Sequence, residues 1–235
     1  MSADPGPRFA QERPSDLRTP PRWHRLSHIA RLLPRELEAL SADLGVPAGG
    51  RVLDYGCADV PYRSFFPAGV EYLAADLPGN QQANTVIAPD GSVAVPDGSV
   101  DCVISTQVLE HVADPELYLS ECFRVLRPGG RMLLSTHGIM VYHPDPVDLW
   151  RWTGEGLRHA VEVAGLRVDR FEGIMGLGAT GLQLFQDAVL WRLRPRLQPP
   201  ASLVLQGLVS LAERLDDRDT RRLNALVFAL VAHKP

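Results

Sequence analysis

Residues 96–137 read PDGSVDCVISTQVLEHVADPELYLSECFRVLRPGGRMLLSTH. Val100–Ser105 is a short run rich in β-branched residues, and its composition predicts a buried strand. Pro115–Leu126 carries helical periodicity, and Arg127-Pro128-Gly129-Gly130 stops it. Arg131–Ser135 then reads as the next strand. The same alternation extends upstream through strands at Arg51–Tyr55, Val70–Ala75 and Thr85–Ala88. Downstream it gives a helix at Gly154–Ala164, a strand at Leu166–Phe171 and a last strand at Ala225–Ala232. Strands that alternate with helices predict an α/β protein: a mainly parallel sheet of seven strands with helices on both faces.

Two segments lie outside this pattern. Trp23–Leu44 has apolar residues at helical spacing and predicts a helical N-terminal lead-in, with Pro34 opening a second helix. Residues 176–224 form a helical insertion before the last strand, too long for a plain connection. Its apolar stretches, Leu182–Leu193 and Leu203–Leu211, predict a helical pair that packs on the sheet or forms a dimer surface. A lid or a membrane-surface contact is the sharper alternative, which Arg192, Arg194 and Arg196 permit. Residues 1–22, rich in Pro, Arg and Asp, are expected to be a flexible segment preceding one domain at 23–235.

The 235 residues carry a formal charge of −4, which disfavours nucleic acid as the main partner. Three cysteines, an odd number, suggest reduced thiols and a cytoplasmic protein. No signal-like apolar core opens the chain, and no run is long enough to span a bilayer. A possible homodimer is left open.

The turn after the first strand reads Asp54-Tyr55-Gly56-Cys57-Ala58-Asp59-Val60. In an open parallel sheet, ligands bind beyond the carboxyl ends of the strands. Asp54 places a carboxylate there, and Gly56 lets backbone approach a ligand closely. A dinucleotide fingerprint requires two further glycines, but only Gly56 is present, and Ala58 and Val60 stand at later positions where glycine would be expected, so a Rossmann-type oxidoreductase is a weaker reading. Asp76 ends the second strand, where a carboxylate can accept both ribose hydroxyls of an adenosine; a turn or N-cap role is the alternative.

Taken together, the turn, the LEH segment at Leu109–His111 and the LRPGG tract at Leu126–Gly130 resemble the class I S-adenosylmethionine (SAM)-dependent methyltransferases, notably the small-molecule group. The resemblance implies a Rossmann-like sheet with its last strand antiparallel, and SAM as cofactor. It implies that Asp54, Gly56 and Cys57 face the methionine end. Asp76, with Leu77 beside it, would hold the ribose, Asp90 and Gly91 the adenine, and Thr106 and Gln107 would border the sulfonium. His111 would stand near the substrate.

The loop after the fifth strand, STHGIMVYHPDPVDLWRWT, leaves the edge where substrates sit. It is similar to a loop found in methyltransferases of sugars and natural products. His143 is the first candidate for a general base and His137 the second. Tyr142, Trp150, Arg151 and Trp152 would shape the acceptor pocket. The alternative is structural: Asp148 and Arg151 can pair across one turn. His137, His143, Asp145 and Asp148 match no tight metal motif, so no metal is expected. The expected activity is methyl transfer to O or N of a small molecule, a sugar or a natural-product intermediate. Heavy use of Arg, Ala, Pro and Leu suits a high-GC genome and natural-product chemistry. A catalytically inactive, methyltransferase-like binding protein is the remaining alternative.

Overall fold

The computed structural model describes residues 20–144 and 147–235. The expected flexible segment therefore lies outside the described residues, except for its last three positions, and so does Asp145. Seven strands form one sheet: β1 (Arg51–Tyr55), β2 (Glu71–Asp76), β3 (Thr85–Val86), β4 (Val100–Thr106), β5 (Leu126–His137), β6 (Arg167–Gly176) and β7 (Ala225–His233). Their order is β3-β2-β1-β4-β5-β7-β6. The first five are parallel, and β7 runs antiparallel between β5 and β6. The strand order reverses between β1 and β4, so their carboxyl ends frame the crevice in which such sheets bind ligands.

The sheet is buried on both faces, which is why β4 and β7 read as near-continuous apolar runs. On one face, helices α2 (Pro115–Val125) and α3 (Gly154–Val163) bury Leu119, Cys122, Leu157 and Val161 against Leu53, Val103 and Leu134. On the other, α1 (Ile29–Ser41) places Ile29, Leu37 and Leu40 over Val52, Cys102 and Ile104. That lead-in helix takes the space beside β1, since the β1–β2 connection holds only a 3₁₀ turn at Arg63–Phe65. Asp114 caps α2 by accepting from Leu117 N at 3.0 Å, and Thr153 caps α3 by accepting from Gly156 N at 3.0 Å.

Three expectations need correction. Pro34 does not open a second helix; it lies inside α1. The missing N–H costs one backbone bond, but the buried stripe of Ile29, Leu37 and Leu40 runs unbroken past it and holds the helix on the sheet. The LRPGG tract ends α2 as expected, yet it belongs to β5. The register jumps from Val100–Leu126 to Cys102–Arg131, so residues 127–130 bulge, with Gly129 at φ +73°. The insertion holds three helices: α4 (Leu177–Leu190), α5 (Gln198–Glu213) and the short α6 (Arg218–Leu223).

Candidate functional site

A cavity of about 1040 Å³ opens at the carboxyl ends of β1, β2, β4 and β5. All nine residues expected to hold the cofactor line it: Asp54, Gly56, Cys57, Asp76, Leu77, Asp90, Gly91, Thr106 and Gln107.

The β1 turn is built for close approach. Gly56 has φ +86°, and a Cβ there would come within 2.4 Å of Val108 Cγ2. Gly56 N and Cys57 N both donate to Ala75 O at 2.9 Å, folding the turn back onto β2. Asp76 then ties the two strand ends together: Oδ2 accepts from Ala58 N at 2.9 Å and Asn80 Nδ2 at 2.6 Å, and Oδ1 from Leu77 N at 2.7 Å. Ala58 (φ +45°) and Val60 (φ +56°) adopt the left-handed conformation that glycine takes without strain. The backbone of a glycine turn is kept although its second and third glycines are not.

Asp54 is buried, and Tyr72 donates to its Oδ2 at 2.7 Å. Burial pushes its carboxyl up to about 7, with the Tyr72 hydrogen bond opposing and the Asp76 charge reinforcing the rise. Burial likewise pushes the Cys57 thiol up to about 12, so it is an unreactive wall atom. Tyr55 donates its hydroxyl to Gly91 O and stacks on Tyr118 at 4.3 Å, fixing the Asp90–Gly91 loop across the cavity from Asp76. Gln107, at φ +57°, is held by N–H to Ser135 O at 2.8 Å and by Nε2 to Ser135 Oγ at 3.0 Å. These features fit SAM: a carboxylate at the ribose position, a turn shaped for close backbone contact and Leu77 on the wall. The fit extends to size, because the cavity reaches the upper end of small-molecule pockets and has room for an acceptor as well.

Three histidines meet at the other end. The ring centres of His137 and His143 are 5.7 Å apart, those of His111 and His143 6.2 Å, and those of His111 and His137 6.3 Å; all three line the cavity. His137, the last residue of β5, is 3% exposed. Its Nε2 lies 3.2 Å from Glu110 Oε1, an ion-pair contact without hydrogen-bond alignment, and both that oxygen and His137 Nδ1 are buried without a hydrogen-bond partner. Thr136 donates to the second Glu110 oxygen at 2.8 Å. Burial pushes the Glu110 carboxyl up to about 7 and lowers the His137 imidazole to about 3, with nearby Arg151 adding to the latter. His143 is placed by its backbone N–H, which donates to Asp148 Oδ2 at 2.6 Å. Among the described residues, no group of three His, Cys, Asp or Glu side chains is set to hold a metal ion.

Tyr142, Trp150, Arg151 and Trp152 do not line this cavity. Tyr142 is exposed. Trp150 donates from Nε1 to Val112 O at 2.8 Å. Arg151 pairs with Asp148 and donates to Met140 O at 2.9 Å and Val141 O at 2.7 Å, so its donors shape the loop. Trp152 packs against the core under α3. The structural alternative for Asp148 and Arg151 is the one observed. Sequence reasoning missed Glu110, whose neighbour in the LEH segment drew attention instead. It also missed Leu26, Ile29 and Leu33, which bring the lead-in to the cavity wall.

A family model described as a methyltransferase domain matches residues 23–168. A protein of Mycolicibacterium smegmatis, named a probable S-adenosylmethionine-dependent methyltransferase, is 33% identical over 146 residues, covering 54% of this chain and 56% of its own length. The ubiquinone biosynthesis O-methyltransferase of Xanthomonas axonopodis pv. citri is 36% identical over 120 residues, covering 45% of this chain and 50% of its own. The chain thus matches about half the length of these relatives. Among solved structures, geranyl diphosphate C-methyltransferase from Streptomyces coelicolor A3(2) superposes with a TM-score of 0.54 at 14% identity, covering 90% of this chain and 82% of that one. This likeness concerns the fold. With the strand order, the cavity and the family match in agreement, the chain belongs to the methyltransferase domain family, as a class I, SAM-dependent member.

Proposed function

We propose that the protein transfers a methyl group from SAM to a hydroxyl or amine of a small molecule of the natural-product kind. The observation that carries this reading is one continuous cavity, with Asp54 and Asp76 at one end and the three histidines at the other. Bound SAM supplies an electrophilic methyl on its sulfonium. Asp76 holds the ribose, Asp90 and Gly91 flank the adenine, and Thr106 and Gln107 border the reacting methyl. Leu26, Ile29, Leu33 and Met140 line the same cavity and favour an acceptor with an apolar body over a free sugar. Three buried, unpaired cysteines suit a cytoplasmic setting.

For a hydroxyl acceptor, the proton must leave as the carbon–oxygen bond forms. His137 is better supported than His143 as the base, because it has a carboxylate behind it. If Nε2–H faces Glu110, the lone pair of Nδ1 is the free basic site. The acceptor proton passes to Nδ1, and ionised Glu110 stabilises the imidazolium, as a carboxylate does behind a catalytic histidine. His143 and His111 bound the space around the acceptor. An amine can lose its proton to water and would need less of this machinery.

Calorimetry with SAM, followed by transfer of labelled methyl to a panel of small hydroxylated and amino acceptors, tests the proposal. Micromolar-scale binding, about −8 kcal/mol, is expected. Asp76→Ala should weaken it by about 1.5–3 kcal/mol, the value of hydrogen bonds to a charged group. Absence of SAM binding, or an Asp76→Ala variant that binds like the parent, overturns the assignment.

A further inference from the structure

The insertion is built inside out. On α5, Ser202, Gln206 and Glu213 face inward with Val209. On α4, Thr180, Gln183, Gln186 and Asp187 do the same. The three glutamines are bonded to one another and to the lead-in, and Asp187 pairs with Arg25; Thr180 donates to Met175 O, Glu213 accepts from Gly176 N, and Ser202 Oγ is buried without a hydrogen-bond partner. Gln206 Nε2 lies 2.9 Å from Gln183 Oε1 and 3.0 Å from Gln186 Oε1. Its Oε1 accepts from Ser27 Oγ at 3.1 Å and His28 N at 2.8 Å. Gln183, Gln186 and Gln206 all donate to Arg25 O, at 3.1, 2.7 and 2.8 Å.

The apolar residues point outward. Val204, Leu208 and Leu211 follow one face at helical spacing, with Leu203 beside them and Leu215 in the turn just past the helix end; Val204 is 65% exposed and Leu215 80%. On α4, Phe185 is 58% exposed, and Trp191 stands at its end. A water-facing helix puts its polar side out, and a monomer seldom leaves so many large apolar side chains together in water. The charge of this surface is one-sided. From 177 to 215 the exposed charged residues are Arg192, Arg194, Arg196 and Arg214, while the two acidic residues, Asp187 and Glu213, are buried. The whole chain is at −4, so this positive field is local.

We propose that the outer face of α4 and α5 docks on an anionic lipid surface. Leucine, valine and phenylalanine would enter the headgroup–acyl boundary, tryptophan would sit at the interface, and the arginines would meet lipid phosphates. A second copy of the chain fits less well, because the exposed charges between 177 and 215 are all arginines, which a two-fold contact would bring together; the acids Asp216, Asp217 and Asp219 follow beyond the end of α5. The contact lies along the surface: the helices have 14 and 16 residues, and no described helix is long and apolar enough to cross a membrane.

Flotation of the full chain with vesicles tests this, using phosphatidylcholine alone against phosphatidylcholine with phosphatidylglycerol. Binding is expected to the anionic vesicles and to be weakened by salt. Val204→Asp/Leu208→Asp should abolish it. Arg194→Glu and Arg196→Glu should each weaken partitioning by at least about fivefold, the effect of one surface arginine. Val163→Asp, on exposed α3, should have no effect. Unchanged SAM affinity and melting temperature show that each variant is folded. No vesicle binding overturns the proposal, and a dimer that Val204→Asp/Leu208→Asp dissolves assigns the face to a second copy instead. Equal binding to neutral vesicles overturns the role of the arginines.

Discussion

Glu110 and His137 show how burial creates chemistry from ordinary residues. Neither is perturbed by a strong opposite charge; loss of water is the first cause of both shifts. If His137 takes the acceptor proton, His137→Ala should lower kcat by about 100- to 10,000-fold on a hydroxyl acceptor, while SAM affinity by calorimetry stays near the parent value. Glu110 supports the imidazolium only when ionised, so kcat should rise as pH passes through about 7, where its carboxyl titrates. Glu110→Gln should lower kcat and flatten that limb; a profile unchanged by the substitution would remove Glu110 from the mechanism. His137 was readable as a cavity residue, as the second base candidate, because the loop after the fifth strand leaves the ligand-binding edge; in the structure β5 itself runs on to His137. Glu110 was not, since a glutamate is rarely fully buried and nothing in its spacing announces it. Trp150 and Arg151 were misplaced for a related reason: loop composition does not say which side chains face inward. At the β1 turn, Ala58→Gly should relieve a left-handed alanine. That gain of about 1–2 kcal/mol is offset by about 0.4–1 kcal/mol of added unfolded-chain freedom. A small rise in denaturation midpoint is the expected reading, and a fall would show that the turn is unstrained.

At the scale of elements, the lead-in and the insertion act as one unit. The lead-in supplies Leu26, Ile29 and Leu33 to the cavity wall, and Gln206 fixes its backbone at residues 25–28. Gln206→Leu would leave several buried amides and carbonyls without partners, at a cost of about 2 kcal/mol. It should also weaken SAM binding by loosening a wall that no sequence motif marks. A loss of stability by chemical denaturation with unchanged SAM affinity would confine Gln206 to a structural role. The seven strands and the helices α2 and α3 were readable because hydrophobic period and turn chemistry agree there. The insertion was readable as helices but not in orientation. Its apolar stretches left packing on the sheet and an outer contact surface both open, whereas in the structure Gln183, Gln186 and Gln206 face inward and bond the lead-in, a contact between segments about 160 to 180 residues apart. Pro34 misled because local stop signals give way to a buried stripe that continues past them.

At the scale of the whole molecule, the site's buried acids oppose stability near neutral pH. Unfolded carboxyls titrate near 4 and an unfolded imidazole near 6.5. In the folded chain Asp54 and Glu110 keep their protons up to about 7. The folded state therefore binds more protons at these two sites between about 4 and 7, and raising pH across that window lowers stability. His137 does the reverse: its imidazole is lowered to about 3, so the unfolded state binds the extra proton and raising pH up to about 6.5 adds stability. Where the windows overlap, two carboxyls outweigh one imidazole, and these three groups together remove about 1.4 kcal/mol of stability per pH unit. Substitution isolates each contribution from the ordinary surface acids. On going from pH 5 to pH 8, Asp54→Asn and Glu110→Gln should each lose less stability than the parent, by about 3 kcal/mol. His137→Gln should shift the comparison the other way below about pH 6.5, losing less stability on acidification than the parent. Chemical denaturation of the ligand-free protein at both pH values measures these differences. Parallel pH curves for parent and variants would mean that these groups stay hydrated in the fold, and the case for a dry proton-accepting end of the cavity would fall with them.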